Sequence, residues 1–114
     1  MPDIPMIFHI ALPDDVRLFH ENGEYRCASL ESEGFIHCCD RTQLQGVANR
    51  YYADQDELQL LLVNPDKLTG ALIRENTMGG SELFPHVYSA INSEAIISIE
   101  PFGFNSPERM GLSE

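Results

Sequence analysis

"SEGFIHCCD", Ser32 to Asp40, is the stretch on which the reading of this chain turns. Gly34 turns the chain, and the run "FIHCC" that follows is expected as a strand. Side chains alternate faces along a strand. Phe35, His37 and Cys39 then share one face, and Ile36 and Cys38 share the other. The two cysteines therefore do not line one site together. A zinc site would also need a second cluster of ligands at metal-binding spacing, and there is none. A vicinal disulfide would be strained. Cys38 reads as a small buried hydrophobe. Cys39 would be a nucleophile only with a lowered pKa. His37 is left as the residue with chemistry to offer.

Working outward, "MIFHIA" (Met6–Ala11) reads as a buried first strand. "LPDDVRLFHENG" (Leu12–Gly23) reads as a helix with an acidic first turn and a glycine stop. "YRCASL" (Tyr25–Leu30) is expected as a short extended piece. "RTQLQGVANRYYADQ" carries Leu44, Val47, Ala48 and Tyr51 at helical spacing, with Asp40 or Thr42 as its cap. "ELQLLLV" (Glu57–Val63) is the clearest strand and is placed centrally. "NPDKLTG" is a turn, "ALIRE" (Ala71–Glu75) a strand, and "NTMGGSELFP" a polar loop. "HVYSAI" (His86–Ile91) is extended, and Ala95–Ile99 is the final strand. Strands dominate after an alternating start, which points to a small α+β domain.

The chain has 114 residues, enough for one domain, and 43% of them are apolar, enough for a core. Residues 1–102 are read as that single domain and 103–114 as a poorly ordered tail. Seven basic against eighteen acidic residues give a formal net charge of −11. Nucleic-acid binding needs clustered cations, and Lys67 is the one lysine, so nucleic acid is not expected as a partner. An anionic membrane surface is argued against in the same way, and no stretch has the length of a membrane span. Three cysteines, an odd number, fit a reducing cytoplasm.

His9, His37 and His86 each fall in or beside an expected strand. If those strands are neighbours, the three rings line one cleft suited to ligand hydroxyls or to acid–base chemistry. Tyr88 shares a strand face with His86 and is placed to stack on a ring. Glu75 ends a strand ahead of the polar loop. Arg41 and Arg74 are the cations placed to meet a phosphate, with a surface ion pair as the plain alternative. No dinucleotide fingerprint or phosphate loop is present, and no metal site is expected.

Taken in order, "IFHIA", "GEYRCASLESEGFIHCCD", "QLQGVAN", "ELQLLLV" and "FPHVYSAINSEAII" resemble the domain of unknown function 952 family. The resemblance runs from about Ile7 to Ile97. It implies a small bacterial-type protein with a fold like that of the ADP-ribosyltransferases: a central split antiparallel or mixed sheet with two or three helices. The pattern is similar to that of the RNA 2′-phosphotransferases, which carry a histidine on each of two core strands. Carried over, it implies His9 and His37 as catalytic residues. His86, Tyr88, Arg41, Arg74 and Glu75 are the expected ligand-binding residues. The implied ligand is a small nucleotide, NAD or an ADP-ribose derivative, for glycosyl or phosphoryl transfer. NAD enters as substrate and no cofactor is required. The alternative is a non-catalytic module on the same fold, binding a small ligand or another protein.

Overall fold

The structure, a computed structural model, describes residues 6–77 and 79–105. Residues 106–114, most of the expected tail, lie outside the described residues. The chain runs β1 (Ile7–Ala11), α1 (Pro13–Asn22), β2 (Glu24–Tyr25), α2 (Ala28–Ser32), β3 (Ile36–His37), α3 (Arg41–Tyr51) and β4 (Leu58–Val63). It continues through β5 (Leu72–Glu75), β6 (Phe84–Val87), β7 (Ile91–Asn92) and β8 (Ile96–Phe102). Short 3-10 turns at Pro65–Lys67 and Ser93–Ala95 lead into β5 and β8. The radius of gyration, 13.4 Å, is that of one compact domain of about 100 residues.

β4 is central, as its apolar run implies, in a sheet ordered β1-β4-β8. Pro101, which has no N–H to give, sits on the edge strand β8. A second sheet is ordered β3-β6-β5, and β2 pairs with β7. Every strand pairing among the described residues is antiparallel. β1 is buried along its whole length, and the pleat sends its residues into two cores. Ile7 and Ala11 join Leu61, Val63, Ile36, Tyr25 and Val16 on one side of the sheet. Phe8 and Ile10 join Leu58, Leu60, Phe102 and the Leu44 and Ala48 face of α3 on the other.

The two three-stranded sheets touch through one bridge. Phe8 and Cys39 exchange N–H···O bonds of 2.8 Å in both directions. Beyond that bridge the ladder opens, and the His9 side chain fills the opening. Its Nδ1 lies 2.6 Å from the carbonyl oxygen of His37, and its Nε2 lies 2.7 Å from the Tyr25 hydroxyl. A carbonyl only accepts, so Nδ1 carries the proton and Tyr25 O–H donates to Nε2.

Three local expectations change. Of "YRCASL" only Tyr25 lies in a strand, at the end of β2, because Ala28–Ser32 closes a helical turn. Gly34, at φ 90°, donates its N–H to Ser29 and Leu30 carbonyls, and Ser29 Oγ bonds the Phe35 carbonyl at 2.7 Å. These bonds within one turn outcompete an extended chain. "HVYSAI" is split between β6 and β7, which belong to different sheets. The break is where Gly70 meets Ser89 so closely that a Cβ at Gly70 would lie 1.9 Å from the serine hydroxyl. The last strand begins at Ile96 and runs on to Phe102.

Burial lowers the His9 pKa to about 4, and the bond to the His37 carbonyl offsets this only in part. The folded-state value is below the unfolded one, so the stability that His9 contributes is complete above about pH 6.5 and is lost as pH falls toward about 4. The expected loss across that window is on the order of 3 kcal/mol, read by urea unfolding at a series of pH values. Tyr25→Phe, which leaves Nε2 without a donor, is expected to cost about 1–3 kcal/mol at neutral pH.

Candidate functional site

Register builds the site. His37 on β3 stands directly opposite His86 on β6, and His86 stands opposite Ile73 on β5. Opposed residues share a face, and so do their neighbours two positions along. Phe35, His37, His86, Tyr88, Ile73 and Glu75 therefore form one patch. Phe35 is its floor. Its ring stacks on His86, with centroids 4.1 Å apart and planes 16° apart, and meets His37 edge-on at 4.8 Å and Tyr88 at 5.2 Å. The two imidazoles are 5.2 Å apart, close to perpendicular.

Each histidine has its own carboxylate. Glu33, four residues before His37 across the Gly34 turn, brings both carboxylate oxygens 3.2 Å from His37 Nε2. Glu75 Oε2 lies 2.9 Å from His86 Nδ1 and also accepts a short hydrogen bond from the Tyr88 hydroxyl. The Tyr88 bond first, and the His86 bond second, hold the Glu75 pKa below the usual carboxylate range, while the Tyr88 phenol is raised by the same contact. His86 is buried at 2% exposure, whereas the His37 side chain is 46% exposed.

A cavity of about 400 Å³ opens on this patch. His37, His86 and Glu33 line one part of it. Tyr51 and Tyr52, at the end of α3, and Phe84 line another. Thr77 adds a hydroxyl from the loop between β5 and β6. That loop is tied down by Asn76, whose side chain bonds the Glu82 carbonyl at 2.6 Å and the Gly80 N–H at 3.0 Å. Gln43 of α3 holds the Leu83 carbonyl at 2.8 Å.

The expected convergence of three histidines becomes a pair. Phe8 and Cys39 are direct partners and point to the α3 side, as does His37, two residues before Cys39. His9 follows Phe8, so its ring points to the opposite side, toward Tyr25. It is 5% exposed with both nitrogens engaged. Arg41 and Arg74 are also placed elsewhere. The Arg41 guanidinium lies over the Phe8 ring, 5.0 Å from its centroid. Arg74 pairs with Asp40 at 2.7 Å. Neither lines the cavity. Cys39 is buried and its thiol is pushed up to about 12 by burial and by Asp40, which argues against a nucleophile. Burial raises Cys38 as well.

Sequence reasoning left Glu33, Tyr51, Tyr52, Phe84 and Thr77 out of the site. Glu33 carried a signal in its spacing from His37 across a glycine turn. The others carried none, because a helix end and a distant loop meet the patch only in three dimensions. Among the described residues no group of three histidine, cysteine or acidic side chains is disposed to hold a metal ion, and no helix is long and apolar enough to cross a membrane.

The family profile described as "Protein of unknown function (DUF952)" matches residues 10–99. The chain belongs to this family. Among solved structures it is similar to the protein CC0527 from Caulobacter crescentus. The crystal structure of CC0527 is 26% identical, covers 84% of both chains and has a TM-score of 0.75. The solution structure of CC0527 is 24% identical, covers 90% of this chain and 89% of the other, and has the same TM-score. No curated protein matches. Membership of DUF952 settles kinship without an activity, so the cleft carries the functional argument.

Two outcomes are expected of variants and reagents. His37→Ala, at an exposed side chain, should leave the fold intact and change unfolding free energy by less than about 1 kcal/mol in urea titrations. In the folded protein a thiol reagent should reach partly buried Cys27 first and leave Cys38 and Cys39 unmodified, as read by mass spectrometry after limited exposure.

Proposed function

We propose that this DUF952 domain is ADP-ribosyltransferase-like in fold and binds a nucleotide-type ligand, NAD or an ADP-ribose derivative, by its ribosyl end. The observation that carries the reading is the pair of carboxylate-backed histidines set side by side at an aromatic cavity. The cavity volume falls in the range of small-molecule sites. A planar ring fits against Tyr51, Tyr52 and Phe84. Ribose hydroxyls find His37 and His86. Breaking a ring–ribose bond builds positive charge on the sugar, and Glu33 beside His37 puts negative charge near it.

Glycosyl transfer is favoured over phosphoryl transfer. Phosphoryl transfer depends on cations that neutralise the moving group, and among the described residues no lysine or arginine lines the cavity. The same observation favours, as a second reading, a binding module that holds the ligand without turning it over.

Calorimetric titration with NAD and with ADP-ribose tests this. Saturable binding is expected in the wild type and a loss of at least about tenfold in affinity in His37→Ala, the cost of one hydrogen bond to a ligand hydroxyl. Release of the ring from NAD over hours would mark an enzyme, and recovery of intact NAD a binding module. Binding of neither ligand would overturn the proposal.

A further inference from the structure

Glu75 and Tyr88 lie outside the set of residues that line the cavity, yet they decide what the cavity offers. Taking the cleft as a ligand site, as proposed above, we infer that Glu75 is a positioning residue: it presents His86 to the ligand with Nε2 as a hydrogen-bond and proton acceptor, so the ligand group seated there is a donor such as a hydroxyl.

An ionised carboxylate only accepts. Glu75 Oε2 accepts a hydrogen bond from the Tyr88 hydroxyl and faces His86 Nδ1 at 2.9 Å. The proton between Nδ1 and Oε2 therefore sits on Nδ1. At the mildly alkaline pH where an imidazole is neutral it has one N–H, and with that proton on Nδ1 the lone pair is on Nε2. Turning the ring to exchange the two nitrogens would break the Glu75 bond and disturb two ring contacts. Phe35 lies flat against one face at 4.1 Å, and His37 abuts it edge-on at 5.2 Å. Among the described residues no enclosed side-chain nitrogen lacks a partner. Nδ1 is taken by Glu75, and His86 lines the cavity, so Nε2 is the nitrogen open to it.

Tyr88 acts one step further out. Its hydroxyl donates to the same carboxylate oxygen, so Glu75 is held by two donors. The roles of the two histidines then differ. His37 directs Nε2 to Glu33 and stands exposed at the rim. His86 directs Nδ1 to Glu75 and is locked in place below. The cleft thus presents two imidazoles anchored through different nitrogens, with the buried one serving as the acceptor.

The test reads the His86 tautomer in the ligand-free protein, by long-range proton–nitrogen correlation spectra at mildly alkaline pH. The wild type is expected to show a protonated Nδ1 and a bare Nε2. Glu75→Ala is expected to move His86 to a mixture or to the Nε2–H form that free histidine prefers. Glu75→Gln is expected to keep the wild-type form, because the amide oxygen can still accept from both donors. A wild-type spectrum with Nε2 protonated would overturn the inference. So would an unchanged His86 spectrum in Glu75→Ala. If Glu75→Ala does not fold, the wild-type spectrum decides by itself. The spectrum needs no nucleotide, so its failure and a failed NAD titration are separate results.

Discussion

The architecture depends on one side chain in the place of backbone. β1 and the end of β3 are joined by two hydrogen bonds at Phe8 and Cys39, and there the ladder opens. His9 reaches across the opening to the His37 carbonyl and is braced behind by Tyr25. A buried carbonyl left without a donor would be costly. The imidazole removes that cost and lets the two sheets diverge. The divergence is what leaves room for a cavity between the β3–β6 pair and the end of α3.

The site itself follows from pairing. Once His37 faces His86 and His86 faces Ile73, strand parity brings Phe35, Tyr88 and Glu75 onto the same surface. The electrostatic character follows in turn. Glu33 and Glu75 each face a histidine, while the cations expected to meet a phosphate lie against Phe8 and Asp40. The described lining of the cleft includes aromatic faces, two imidazoles and the Glu33 carboxylate.

Much of this was legible in the sequence. Alternation along "FIHCC" separated Cys38 from Cys39, and they lie in different cores. The run "ELQLLLV" declared itself the central strand, and Gly23 and Gly34, both at positive φ, ended α1 and the turn before β3 as expected. The shared face of His86 and Tyr88 was within reach of parity reasoning, whereas Glu75 joins them through the β5–β6 register. The fate of His9 was not. Its face depends on whether Phe8 or its neighbour meets Cys39, and a shift of one residue reverses the answer. Periodicity along one strand cannot supply the register between two. The α2 turn was missed for a related reason, since "YRCASL" looks extended until Ser29 and Gly34 close on each other.

The same pairings have a kinetic side. His37 and His86 are about fifty positions apart in the chain, and so are the partners that join β1 to β4. Contacts of such separation demand closure of long loops before any bond compensates the lost entropy. The cleft is thus absent from every short fragment and from any half-formed chain that ends before β6. It comes into being together with the whole domain, and a nascent chain leaving the ribosome carries "SEGFIHCCD" exposed until its distant partner strand has been made.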